Sequence, residues 1–186
     1  GGATPNPDGY IYLYGIKSWQ PFLLLKSPVV ARVKPEDFSD VSAWRYWDGE
    51  TWVEDVTKCA VIDGGDGMVS NEFSVSYMES GAFAGKYVMN FTNFTQSTML
   101  ALSTSDTPCG DFNNSTGKLA IYDCPEKIKV LEKNGDSGIY TYNAKAHPHL
   151  SAQGELLISY NLNSFNFDDR SSFEYLHPHF VTLFTI

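Results

Sequence analysis

Basic residues are scarce in this chain. Its 186 residues carry 13 Lys and Arg against 22 Asp and Glu, a formal net charge of -9. That balance excludes a nucleic-acid partner, because neutralising phosphates needs clustered Lys and Arg. Long apolar runs are missing too. The longest candidate, "PFLLLKSPVVARV", is broken at Lys26, Pro28 and Arg32, well short of the ~20 residues that span a bilayer. No membrane partner is expected, and Leu23–Leu25 read as core or a small exposed patch. Helical patterning is absent: no stretch of about twelve residues keeps apolar positions at i, i+3, i+4 and i+7 between a cap and a stop. The opening "GGATPNPDGY" has no Met and no charged-then-apolar start, as expected of a mature processed form or a fragment. No phosphate-binding loop or dinucleotide fingerprint occurs, and no cofactor is expected.

Short strands fill the space that helices leave. "YIYLYGI" (Tyr10 to Ile16), "FSVSYM" (Phe73 to Met78), "KYVMNF" (Lys86 to Phe91), "TMLALST" (Thr98 to Thr104), "KLAIYD" (Lys118 to Asp123), "ELLISYN" (Glu155 to Asn161) and "HFVTLFTI" (His179 to Ile186) are β-branched or aromatic and bounded by turn residues. The chain is all-β. It also repeats. "DGYIYLYG", "AGKYVMNF" and "QGELLISY" each place a glycine just before a strand, at Gly9, Gly85 and Gly154, 76 and 69 residues apart. A repeat of this length built from about four short strands is a propeller blade. About three blades are present, over 1–57, 58–139 and 140–186. Closing a ring usually takes ~4–8, so further blades from a longer chain or other subunits are expected partners.

Three cysteines are present, Cys59, Cys109 and Cys124. Cys109 and Cys124 bracket a hairpin-sized loop, and a disulfide there could stabilise by ~3 kcal/mol in the chain-entropy model. The alternative is three buried thiols. Asn90, Asn93, Asn113 and Asn114 each head an N-glycosylation sequon. Four sequons this close together point to a secreted, extracellular glycoprotein.

Three blocks, "GYIYLYG…VVARVKPEDFSDVSAWRYWDGETWV", "EFSVSY…GKYVMNFT" and "YNAKAHPHLSAQGELLISYNLNS…HPHFVTLF", carry a resemblance. The chain resembles the C-terminal three blades of a family of secreted five-bladed β-propellers. That family is mostly of unknown function and is related to glycoside hydrolases, some of which cleave arabinan-type polysaccharides. The resemblance implies a polysaccharide or other glycan as partner, hydrolysed or bound at the mouth of the propeller channel. The alternative is a non-catalytic glycan-binding or structural extracellular glycoprotein. Where the family carries arginines near its end, this chain has His177 and His179.

A glycosidase needs two carboxyl groups flanking the bond. Glu72, at the head of "EFSVSY", is the candidate within this chain, and Glu79 reads as a turn residue. His147 is the second catalytic candidate. Pro148 lacks a ladder donor and belongs at a strand start, so His147 is expected just outside the third blade's inner strand, with His149 on the same side. His149, His177 and His179 are candidate substrate contacts. So is Trp19, in "KSWQPF", as a stacking platform for a sugar ring, whereas Trp44 and Trp52 read as core. Two His-Pro-His stretches could in principle meet around a metal, but no metal site is expected. "DGGDG" (Asp63 to Gly67) lacks the spaced oxygen ligands of a calcium loop, so a structural calcium is possible but not indicated. "NGDSGI" (Asn134 to Ile139) reads as turn chemistry.

Overall fold

The computed structural model describes residues 6–17, 26–63, 69–93, 97–112, 119–123, 138–165 and 177–184. These form three antiparallel sheets. The first holds β1 (Ile11–Lys17), β2 (Ser27–Val33), β3 (Arg45–Trp47) and β4 (Trp52–Val53), side by side in that order. The second repeats the plan with β5 (Phe73–Tyr77), β6 (Tyr87–Thr92), β7 (Met99–Ser105) and β8 (Leu119–Asp123). The third joins β9 (Ile139–Ala146), β10 (Glu155–Ser164) and β11 (His179–Phe184), with β10 in the middle. Among the described residues, helix is confined to short 3-10 turns. The fold is all-β and propeller-like, with about three blades.

The repeat glycines explain how each sheet begins its turn. Gly9, Gly85 and Gly154 have φ of +77°, +79° and +80°, and each lies one or two residues before a strand: β1, β6 and β10. A residue with a Cβ is strained in that left-handed region. At Gly85 the turn closes through its N–H to Met78 O (2.8 Å) and Met78 N–H to Lys86 O (2.9 Å). At Gly9 the N–H donates to Asn6 O (2.7 Å).

Packing is centred on the second sheet. β6 is buried at every position, because its side chains alternate between two cores. Tyr87, Met89 and Phe91 meet Val30 and Trp52 of the first sheet. Val88, with Leu100 and Leu102 of β7, meets Leu156, Ile158 and Leu162 of the third. β10 shows the one-sided version, alternating half-buried and buried along its ten residues. Hydrogen bonds tie the third sheet to the second: Ala146 N–H donates to Ser74 Oγ (2.8 Å), and Thr141 donates to Ser97 O from both its N–H (2.7 Å) and its Oγ1 (2.7 Å).

Four expectations change. The strand β9 had no counterpart among the expected strands. Asn143 interrupts its pattern, lies at φ 57°, and falls where the β9–β10 register shifts, so a bulge hides the alternation. His147 accordingly follows the inner strand and does not lead into one. Pro148 opens a 3-10 turn (Pro148–Leu150), where its fixed φ and missing N–H are tolerated. Asn90 is fully buried, and its Nδ2 donates to Ala101 O (2.9 Å), so the folded chain has no room for a glycan there. Trp52 packs against the first-to-second-sheet core, as expected. Trp44 does not: it stacks on Phe38, ring centroids 6.0 Å apart, on the outer side of the first sheet.

Candidate functional site

The three glycine-marked turns converge. The segment before β1, the β5–β6 turn and the β9–β10 loop together enclose a cleft of about 840 Å³. Its composition follows from the strands that feed it. β5 ends in Tyr77 and β1 begins with Ile11 and Tyr12, so aromatic side chains arrive from two sheets. Tyr12 and Tyr77 both stand against the buried Tyr87, at centroid distances of 6.1 Å and 5.3 Å. The rim is polar. Glu79 comes from the β5–β6 turn, and His149, Gln153 and Glu155 come from the β9–β10 loop. Among the described residues, no Lys or Arg lines the cleft.

The phenols of Tyr12, in the cleft, and of Tyr87, behind it, stay protonated. Burial, then the hydrogen bond to Asp8 (2.5 Å), holds the Tyr12 hydroxyl far above its ordinary range. Burial, with the Asp8 charge nearby, pushes Tyr87 up to about 12. Arg32 is sandwiched between the rings of Tyr10 (4.3 Å) and Trp52 (4.4 Å), which favours a cation over two π faces.

The β9–β10 loop that supplies three rim residues is pinned from within. Ser151 Oγ donates to His147 O (2.8 Å) and accepts from Leu157 N–H (2.8 Å). His147 N–H donates to Leu157 O (2.8 Å), and its Nε2 shares a hydrogen bond with Ser159 Oγ (2.7 Å). Burial first, then repulsion from His149 and Lys145, lowers the His147 pKa. A neutral imidazole on a serine hydroxyl is the geometry of an activated nucleophile. Here Ser159 lies inside a three-stranded ladder, opposite both Phe180 and Lys145. Its strand offers no turn of free N–H groups to receive an oxyanion. The pair fixes the loop.

The expected site residues separate. His147 and His149 are neighbours, with ring centroids 6.0 Å apart, and His149 lines the cleft while His147 anchors it from behind. They do not share one face of a strand, because the 3-10 turn rotates one from the other. Glu72 is exposed, just before β5, and is not among the cleft residues. Its chain segment does lie near His147: Ser74, two residues on, accepts from Ala146 N–H. His179 is buried and stacks on Tyr160 (5.5 Å, 25°), with His177 against it at 4.4 Å. Tyr160 and Ser159 point to opposite faces of β10, so the two His-Pro-His stretches lie on opposite sides of the third sheet. Among the described residues no group of three or more His, Cys, Asp or Glu is placed to hold a metal, and no helix is long and apolar enough to cross a membrane.

Trp19, Asn113, Asn114, Cys124 and most of "DGGDG" and "NGDSGI" lie outside the described residues. Cys59 and Cys109 are free thiols, and burial raises the pKa of each. Asn93 is half-buried at the end of β6. Reading the sequence missed Glu155, Gln153 and Tyr12 as site residues and took Glu79 for a turn residue alone. The signal was there for Tyr12, Gln153 and Glu155, each within three residues of a repeat glycine, whereas Glu79 lies six from Gly85.

A family model described as a domain of unknown function (DUF5005) matches residues 1–185. No curated protein matches the chain. Among solved structures, the chain is similar to a crystal structure of a "putative hydrolase" from Bacteroides ovatus ATCC 8483, with a TM-score of 0.67 and 23% identity. The match covers 95% of this chain but 42% of the Bacteroides ovatus chain. At that identity the likeness establishes a shared fold.

Proposed function

The chain belongs to the DUF5005 family, and from that premise we propose that it is an extracellular carbohydrate-handling protein whose three-turn cleft binds a segment of a polysaccharide. One observation carries the reading. The cleft joins aromatic surface, Tyr12 and Tyr77, to a rim of carboxylates, an amide and an imidazole. Sugar rings present apolar faces and a girdle of hydroxyls. Aromatic rings match the faces, and fixed polar groups on the rim match the hydroxyls.

Affinity electrophoresis through gels cast with different polysaccharides tests it. At least one polysaccharide retards the protein, and His149→Ala with Gln153→Ala abolishes most of that retardation. Both side chains are exposed, so their loss leaves the fold intact. Migration unchanged by every polysaccharide would defeat the proposal.

Hydrolysis is the second reading, favoured by two carboxylates, Glu79 and Glu155, lining one cleft. They replace Glu72 as the acid and base candidates. Glu79→Gln or Glu155→Gln would then lower reducing-end release by about 10²-fold or more, with binding retained. The fold shared with the Bacteroides ovatus protein supports this reading.

Further blades complete the proposal. The outer face of the first sheet bears a groove of about 570 Å³ lined by Leu13, Val29, Trp44 and Val56. The outer face of the third sheet exposes Phe180 and Phe184. The groove on the first sheet has the apolar make-up of the faces buried against the second sheet, and another sheet would pack there; around Phe180 and Phe184 the third sheet presents Glu155, Ser159, Asn161 and Asn163.

A further inference from the structure

The charge of the cleft discriminates between classes of glycan. Resting on the reading of the cleft as a glycan site, we infer that it accepts uncharged oligosaccharides and rejects those built from uronic acids.

The argument begins with what lines the cleft. Two carboxylates, Glu79 and Glu155, enter from different sheets and bound it from two sides. Among the described residues that line it there is no Lys or Arg, so none of these would offset a sugar carboxylate. The Arg32 guanidinium is held between the Tyr10 and Trp52 rings and against the Tyr12 hydroxyl. The nearest ammonium on the first sheet, Lys34, lies over the Tyr10 ring at 3.7 Å. Among the described lining residues, His149 is the one side chain with a basic nitrogen. Beyond the cleft, the chain's net charge of -9 repels anions over roughly a Debye length, ~8–10 Å at ordinary ionic strength.

A uronate ring entering the cleft therefore meets like charge at short range and long range. It also loses water from its carboxylate with no cation in exchange. A neutral ring of the same skeleton meets acceptors for its hydroxyls: the same carboxylates, the Gln153 amide and the Ser76 and Ser80 hydroxyls. Hydrogen bonds from sugar hydroxyls to ionised carboxylates are stronger than those between neutral partners. The groups that repel the acid are those that hold the neutral sugar, which is specificity by repulsion and attraction from one set of atoms.

The test titrates the protein by calorimetry with a panel of neutral oligosaccharides. Uronate oligosaccharides and their methyl esters, which keep the skeleton and remove the charge, complete the panel. The expected result is binding of neutral members, with each free acid at least about tenfold weaker than its ester. The gap narrows as salt is raised, and it narrows in Glu79→Gln and in Glu155→Gln. A free acid that binds as tightly as its ester, or a gap unmoved by both substitutions, overturns the inference and leaves the glycan site standing. Absence of binding by every oligosaccharide, charged or neutral, overturns both.

Discussion

Strands β6 and β10 start from the same turn chemistry, a glycine at φ near +80°, and then differ completely. β6 reads Tyr-Val-Met-Asn-Phe-Thr and is buried throughout. β10 reads Glu-Leu-Leu-Ile-Ser-Tyr-Asn-Leu-Asn-Ser and is buried at every second residue. The difference is position in the arc. β6 belongs to the sheet that has a neighbour on each side, and β10 to a sheet with one. A strand covered on both faces carries apolar side chains in succession, and a strand covered on one carries them in alternation. The candidate cleft follows the same division: it lies where the turns at the ends of the sheets meet, and the doubly covered middle stands behind it.

The largest test of the contrast compares two phenylalanines. Phe91 of β6 is 1% exposed and Phe184 of β11 is 67% exposed. Phe91→Ala leaves a cavity between two sheets and should cost about 3–5 kcal/mol. Phe184→Ala, on the open face, should stay within about 0.5 kcal/mol. Urea denaturation of both variants measures the gap. Similar losses would mean that the outer face of the third sheet is covered in solution.

Much of this was readable in the residues, for reasons that also explain what was not. Strand identity and the blade repeat were legible because glycines at left-handed φ have no substitute and recur at Gly9, Gly85 and Gly154. β9 was not legible: a bulge at Asn143 breaks its period, and an Asn accepts positive φ better than most residues. The site was legible only in part. His149 lies on it, but His147 and Glu72 do not line it, because sequence order shows which residues border a strand and not which turns meet in space. Asn90 shows the same limit: a sequon is read by its three residues, and burial is decided by the sheet that covers it.

The middle-sized test addresses the turns. Gly154→Ala and Gly85→Ala have open space around the added methyl group, so any loss is backbone strain alone, about 1–2 kcal/mol each. Gly15, inside β1, is the control. A methyl group there meets Val29 Cγ2 at an ordinary 3.5 Å, and Gly15→Ala should be neutral or stabilise by about 0.4–1 kcal/mol through the unfolded chain. Thermal melts of the three variants should therefore fall on opposite sides of the parent. If all three shift alike, the turn glycines owe their place to something other than φ.

The smallest effect separates the two histidines of the β9–β10 loop. His147 is held below the ordinary histidine pKa of ~6.5 by burial and by the charges of His149 and Lys145. Between the lowered folded value and ~6.5 the unfolded chain binds more protons than the folded one, so stability falls as pH drops through that window. It is fully restored above ~6.5. In structural terms, a proton on His147 places a charge against Ser159 Oγ, close to Lys145 at the end of β9 and His149 in the loop. His147→Gln retains a polar side chain beside Ser159 and should flatten the dependence of the urea midpoint between about pH 5 and pH 8. His149→Gln removes one repelling charge, so His147 should titrate closer to ~6.5 and the slope should diminish but persist. An unchanged slope in His147→Gln would assign the pH dependence to a group other than His147. The pinned loop would then owe its shape to Ser151 alone.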